Sequence, residues 1–110
     1  MHLLAVQPGT ISDGSEAFDL GQTPGDIVIL SSADTELSLL AKARSQIENS
    51  EFPSLRLASL LHLEHNMSVD LYVDSVIRNA KIVIVRLLGG RGYWPYGVDE
   101  ILRICCNKNI

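Results

Sequence analysis

Residues 82–85 (IVIV) are four β-branched side chains in succession, set within the apolar run 81–87 (KIVIVRL). Two heavy atoms on each Cβ make such side chains stiff at χ1 and suit them to a pleated surface. Because no polar residue alternates with them, the run predicts a strand buried on both faces, as in a parallel sheet with helices above and below. Residues 2–6 (HLLAV) and 26–30 (DIVIL) have the same form and predict central strands. Residues 55–61 (LRLASLL) predict another strand, interrupted by Arg56.

Helical periods fill the gaps. Ser31 and Ser32 stand where a helix running to about Ile47 needs capping, and Asp34 and Glu36 fall in its first turn, where carboxylates favour the helix dipole. Leu37, Leu40, Ala41 and Ile47 form its apolar stripe. From Ser68, the residues Val69, Tyr72, Val73, Val76, Ile77 and Ala80 recur at helical spacing, with Asp70, Asp74, Arg78 and Asn79 opposite. Pro95 suits the first position of a last helix whose apolar face holds Val98, Ile101, Leu102 and Cys105. The order of elements predicts an α/β fold. Its mostly parallel open sheet of about four strands is flanked by helices in three layers of Rossmann or flavodoxin type, within one domain over residues 1–110.

Composition narrows the function classes. Hydrophobic residues make up 46% and charged residues 20%, the balance of a chain with a packed core. A net charge of −4 with no basic run argues against nucleic acid and anionic membranes as partners. No apolar run approaches the length of a membrane span, and an early first strand leaves no room for a signal peptide, so the expected location is the cytoplasm. Cys105 and Cys106 are adjacent, which suits neither a structural disulfide nor a zinc site with spaced pairs. Residues 7–25 are rich in Gly, Pro and carboxylates, without periodicity, and long for a connection in a compact domain.

Ligands of open α/β sheets bind beyond the carboxyl ends of the strands, which directs attention to residues 7–10, Ser31 and Ser32, residues 62–66, and residues 89–96. The last lies within RLLGGRGYWPYG, residues 86–97, where four glycines, two arginines and three aromatics share twelve positions. Gly90 and Gly92 make a G-x-G, but the third glycine of a dinucleotide fingerprint and the Lys-Ser or Lys-Thr of a P-loop are both missing. The stretch is better read as a turn whose glycines let backbone pack under aromatic rings. His62 and His65 lie three apart around Glu64, yet the only other histidine is His2, so no metal site and no catalytic residue is assigned. The candidate contact residues are Arg91, Tyr93, Trp94 and Tyr96, with His65. An arginine beside aromatics either grips a carboxylate and stacks on a planar ligand, or belongs to a contact between domains.

Two long stretches carry a resemblance. MHLLAVQPGTISDGSEAFDLGQTPGDIVILSSADTELSLLA (residues 1–41) and SVDLYVDSVIRNAKIVIVRLLGGRGYWPYGVDEIL (residues 68–102) resemble the N-terminus of the cobaltochelatase large subunit, the CobN type, which is related to the magnesium chelatase large subunit. The resemblance implies a part in ATP-dependent insertion of cobalt into hydrogenobyrinic acid a,c-diamide during aerobic cobalamin synthesis. It implies as partners the remaining domains of the large subunit, two smaller subunits that hydrolyse the ATP, and the corrinoid. No cofactor and no independent catalysis are expected of this segment. Asn66 stands where the family pattern has proline, and residues 104–110 (ICCNKNI) leave the pattern abruptly, as a truncated segment would. A strand at 81–87 deprived of its neighbours would then be an apolar edge prone to association. Two readings from other classes are a non-catalytic interaction module and a small nucleotide- or flavin-binding domain.

Overall fold

The computed structural model describes residues 19–110, so the strand expected at 2–6 and the stretch 7–10 lie outside the described residues. Within them the chain forms β1 (Ile27–Ser31), α1 (Asp34–Ser45), β2 (Leu55–Ser59), α2 (Asn66–Ser75), β3 (Ile82–Arg86) and α3 (Pro95–Lys108). The strands are all parallel, in the order β2-β1-β3, with Ile29 of β1 between Leu57 and Ile84. This is the expected three-layer α/β arrangement, with three strands among the described residues.

Asp26 fixes the start of the sheet. Its carbonyl accepts the N–H groups of Lys81 (2.8 Å) and Ile82 (3.1 Å), while its N–H donates to the Ser54 hydroxyl at 2.9 Å. Its carboxylate in turn accepts the Ser54 N–H at 3.1 Å, so one residue aligns the entry to every strand.

Alternation along β1 divides the core in two. Ile27 and Ile29 face α1, where Leu37 packs with Leu55 and Leu57. Val28 and Leu30 face the opposite layer, built from α2, α3 and the intervening turns. The stripe read from Val69 to Ala80 is buried throughout, although the α-helix ends at Ser75 and a 3₁₀ turn (Ile77–Asn79) carries the last part of it. Burying such a stripe is the main source of a short helix's stability, since isolated helices of this length are marginal in water.

Local boundaries differ from expectation for identifiable reasons. Neither serine caps α1: Ser31 Oγ accepts the N–H of Ala33, the residue at the cap position, and Ser32 Oγ accepts the N–H of Leu88 from the neighbouring strand's loop. β2 stops at Ser59, whose Oγ accepts the Leu61 N–H and starts a 3₁₀ turn (Leu60–Leu63). Helix α2 begins before Ser68, capped by His65. Arg56 does not interrupt β2. It is 7% exposed and folds back to donate from Nε to the Thr23 carbonyl (2.8 Å) and from Nη2 to the Pro24 carbonyl (3.1 Å).

The two outer strands are covered unequally. All five residues of β2 are buried, and Gln22 Nε2 donates to the Leu57 carbonyl at 2.7 Å. β3, read from its β-branched run as buried on both faces, is instead a sheet edge among the described residues. Ile82 is 53% and Ile84 42% exposed, because the apolar stripe of α1 packs on β1 and β2 and not on these two residues.

Candidate functional site

The topological switch point lies between β1 and β3. The crossover from β1 to β2 runs by α1 on one face, and the crossover from β2 to β3 runs by α2 on the other. The loops leaving β1 and β3 therefore diverge and open a crevice at their carboxyl ends. The Ser32 N–H donates to the Arg86 carbonyl (3.2 Å), and the Leu88 N–H donates to Ser32 Oγ (3.2 Å), so the two loops are tied at their base.

A charged pair sits in the crevice. Arg86 Nε donates to Glu36 Oε1 at 2.6 Å, and Ser31 Oγ donates to the same oxygen at 3.0 Å. These contacts, Arg86 first and Ser31 second, hold the Glu36 carboxyl below its ordinary range. Glu36 thus stays ionised and accepting, which suits it to positioning Arg86 rather than to donating a proton. The pair spans fifty residues of sequence, and no local pattern in the sequence points to it.

Beyond Arg86 the chain turns at Gly89 and Gly90, both with positive φ (89° and 84°), a region that non-glycine residues rarely occupy. A Cβ at Gly89 would overlap the ring of Tyr93, and a Cβ at Gly97 would overlap the indole of Trp94. The glycines therefore let backbone pass beneath the aromatics, as read from the sequence. Internal hydrogen bonds take up the N–H groups of Gly90, Tyr93 and Trp94, with Leu87, Gly90 and Arg91 as acceptors, so these amides do not point at a phosphate.

The five candidate residues are in different situations. Trp94 is 6% exposed and donates its indole N–H to the Leu63 carbonyl at 2.8 Å. Tyr96 is half-buried and donates its hydroxyl to Asp70 Oδ1 at 2.6 Å. His65 Nδ1 accepts the Met67 N–H at 3.0 Å, the usual work of a helix cap. Arg91 is paired with Asp99. Tyr93 is 77% exposed, and Leu88 in the same loop is 70% exposed. Arg91 and Tyr93 share one 3₁₀ turn (Arg91–Tyr93) that forms the outer rim of the loop after β3, while Trp94 turns into the core. Among the described residues no three His, Cys, Asp or Glu side chains converge as metal ligands. No helix of the described residues is long and apolar enough to cross a membrane.

The chain is 56% identical over 101 residues, 92% of its length, to the aerobic cobaltochelatase subunit CobN of a Sinorhizobium species. It is 44% identical over 104 residues to the aerobic cobaltochelatase subunit CobN of Pseudomonas aeruginosa. The chain is homologous to a segment of CobN. It spans about 8% of the length of each of these relatives. No family model matches it, and no solved structure does.

The homology to CobN runs over more than nine-tenths of this chain rather than over one motif. It does not by itself distribute the subunit's chemistry, because more than nine-tenths of each CobN relative lies outside the aligned segment.

Proposed function

We propose that this chain serves as a non-catalytic building block of a cobaltochelatase large subunit, at its N-terminus. That subunit takes part in ATP-dependent insertion of cobalt into hydrogenobyrinic acid a,c-diamide in the cytoplasm. The observation that carries this reading is the identity of 56% and 44% to two CobN subunits across more than nine-tenths of the chain. Cobalt is substrate here, and ATP is hydrolysed by two smaller partner subunits, as the family resemblance implies.

Within that role, the rim formed by Leu88, Arg91 and Tyr93 is assigned to contact with the remainder of the large subunit. A macrocycle needs a concave apolar pocket with several rings facing inward. Trp94 is enclosed and Tyr96 is held by Asp70, which leaves Tyr93 and Leu88 as exposed apolar side chains in the loop after β3, suited to a contact between proteins. The competing reading has Arg91 pairing with a peripheral carboxylate of the corrinoid while Tyr93 stacks on its ring.

The test is a chimera in which this chain replaces the aligned residues of the Sinorhizobium large subunit, assayed with its partner subunits for cobalt insertion by the change in corrinoid absorbance. Activity in the chimera and none in the isolated chain is expected. Inactivity of a folded chimera, or turnover by the isolated chain, overturns the reading. Tyr93→Ala and Arg91→Ala in the chimera separate the two roles of the rim. Corrinoid affinity within twofold of the parent is expected, and a tenfold loss would place the corrinoid there.

A further inference from the structure

We propose that the outer edge of β3 is a docking site for one further parallel β-strand, supplied by the part of the large subunit outside this segment. This rests on the reading of the chain as part of that subunit.

Topology says where such a strand goes. The step from β1 to β2 moves one way across the sheet with α1 on one face, and the step from β2 to β3 moves the other way with α2 on the opposite face. Reversing both direction and face preserves the hand, so the two crossovers agree, as the near-universal handedness of such units requires. Helix α3 lies in the same layer as α2 and shares its core, through Ile101 and Ile104. A parallel strand entered from α3 with the same hand falls beyond β3, at the open edge.

The edge is built to receive it. Among the described residues β3 pairs with β1 alone, so its outward peptide groups lack a ladder partner within the sheet. One face presents Ile82 and Ile84. On the other, Val83 and Val85 line an apolar groove of about 320 Å³ with Val98, Ile101, Leu102 and Cys105. Edges that must remain free carry charges, proline or a bulge. Here Ile82 to Val85 carry none, and the flanking charges are engaged elsewhere: Lys81 lies 3.7 Å from Asp26, and Arg86 is bound to Glu36. The other outer strand, β2, is fully buried, so the exposure is specific to β3.

The occupant's chemistry follows. On one face it meets the apolar groove along Val83 and Val85, and on the other it flanks Ile82 and Ile84, so it is a short run rich in β-branched or aliphatic residues. More than nine-tenths of each CobN relative lies outside the aligned segment, which is ample chain to supply one.

Hydrogen exchange by mass spectrometry tests the proposal, comparing peptides of residues 81–88 in the isolated chain and in the Sinorhizobium chimera. The β3 amides should exchange at least tenfold more slowly in the chimera, with β2 peptides unchanged, and Ile84→Lys in the chimera should remove most of that protection. Equal β3 exchange in the two proteins overturns the proposal. If the chimera does not fold, the corresponding peptide of the unaltered Sinorhizobium subunit replaces it, and rapid exchange there is equally fatal. Two other occupants are covered: β3 amides already protected in the isolated monomer would assign the edge to this chain's own expected strand at 2–6, and a dimer seen by sedimentation and abolished by Ile84→Lys would assign it to a second copy, and either result overturns the proposal. A protected β3 in a chimera that inserts no cobalt leaves the edge assignment standing while rejecting the functional reading. Insertion with an unprotected β3 does the reverse.

Discussion

Trp94 donates its indole N–H to the carbonyl of Leu63 across 2.8 Å, joining the glycine-rich loop after β3 to the turn after β2. The ring is enclosed and lies where Gly97 has no Cβ. Trp94→Phe keeps most of the apolar surface but strips the Leu63 carbonyl of this partner, and should cost about 1–3 kcal/mol. Trp94→Ala also opens a cavity and should cost about 3–5 kcal/mol. Urea unfolding of the two variants should give this order. Equal and negligible losses would mean that the indole is not a core residue, and any loss of corrinoid binding by Trp94→Ala must be corrected for unfolding first.

The Glu36 and Asp26 carboxyls are both held below the ordinary carboxylate range, Glu36 chiefly by its hydrogen bond from Arg86 and Asp26 chiefly by the backbone N–H of Ser54. A carboxyl with a depressed folded pKa contributes stability that is complete above its unfolded value, about 4, and that is lost as pH falls through the lower folded value. Thermal melts from pH 7 to pH 2.5 should therefore show little change down to about pH 4 and a decline below it. Because both carboxyls are still about a third exposed and screened by solvent the decline is small, and Glu36→Gln and Asp26→Asn together should flatten it. An unchanged acid limb in that double variant would show that other groups govern it.

Arg56 is the third test. Its guanidinium reaches the carbonyls of Thr23 and Pro24, and a Cβ on Gly25 would lie 2.7 Å from its Cγ, so the arginine stem and the segment before β1 pack as a unit. Lysine offers one ammonium in place of a planar fork and cannot reproduce these contacts together. Arg56→Lys should lower stability by about 1–3 kcal/mol, read by chemical denaturation. A neutral result would remove Arg56 from the anchoring of residues 23–25.

Arg56 also shows what the sequence conceals. The apolar runs announce β1, β2 and β3 because burial of alternate faces demands them, and the stripe from Val69 to Ala80 is legible because one face must be dry. A charged residue inside a strand carries no sign that its head will fold back onto a loop more than thirty residues earlier. The Glu36–Arg86 pair is hidden for the same reason, since it joins the first turn of α1 to the end of β3, which only the sheet order brings together. In the glycine-rich loop, composition places three aromatics without saying which one is enclosed. That depends on Gly97, whose missing Cβ leaves room for Trp94 and not for Tyr93. The helical period puts Leu102 in the apolar face of the last helix, whereas Ile104 is buried and Leu102 lies at the β3 edge, 57% exposed. A helix packed at a sheet edge presents apolar residues on two sides, and periodicity alone does not rank them.

The hydroxyl of Tyr96 donates to Asp70 Oδ1 at 2.6 Å and so clasps α3 to α2. Ionising the phenol would set two negative charges against each other, and the hydrogen bond to Asp70, followed by burial, pushes its pKa up to about 12. A raised folded pKa means that the clasp stabilises the chain fully below the unfolded tyrosine value, about 10, and fails as pH rises through the folded value. The ultraviolet titration of the wild type minus that of Tyr96→Phe isolates this phenol. Its midpoint should lie near 12. Asp70→Asn should bring the midpoint back towards about 10, since the amide carries no charge to oppose the phenolate. If Asp70→Asn leaves the midpoint in place, the shift comes from burial alone and the clasp between α2 and α3 is not electrostatic in origin.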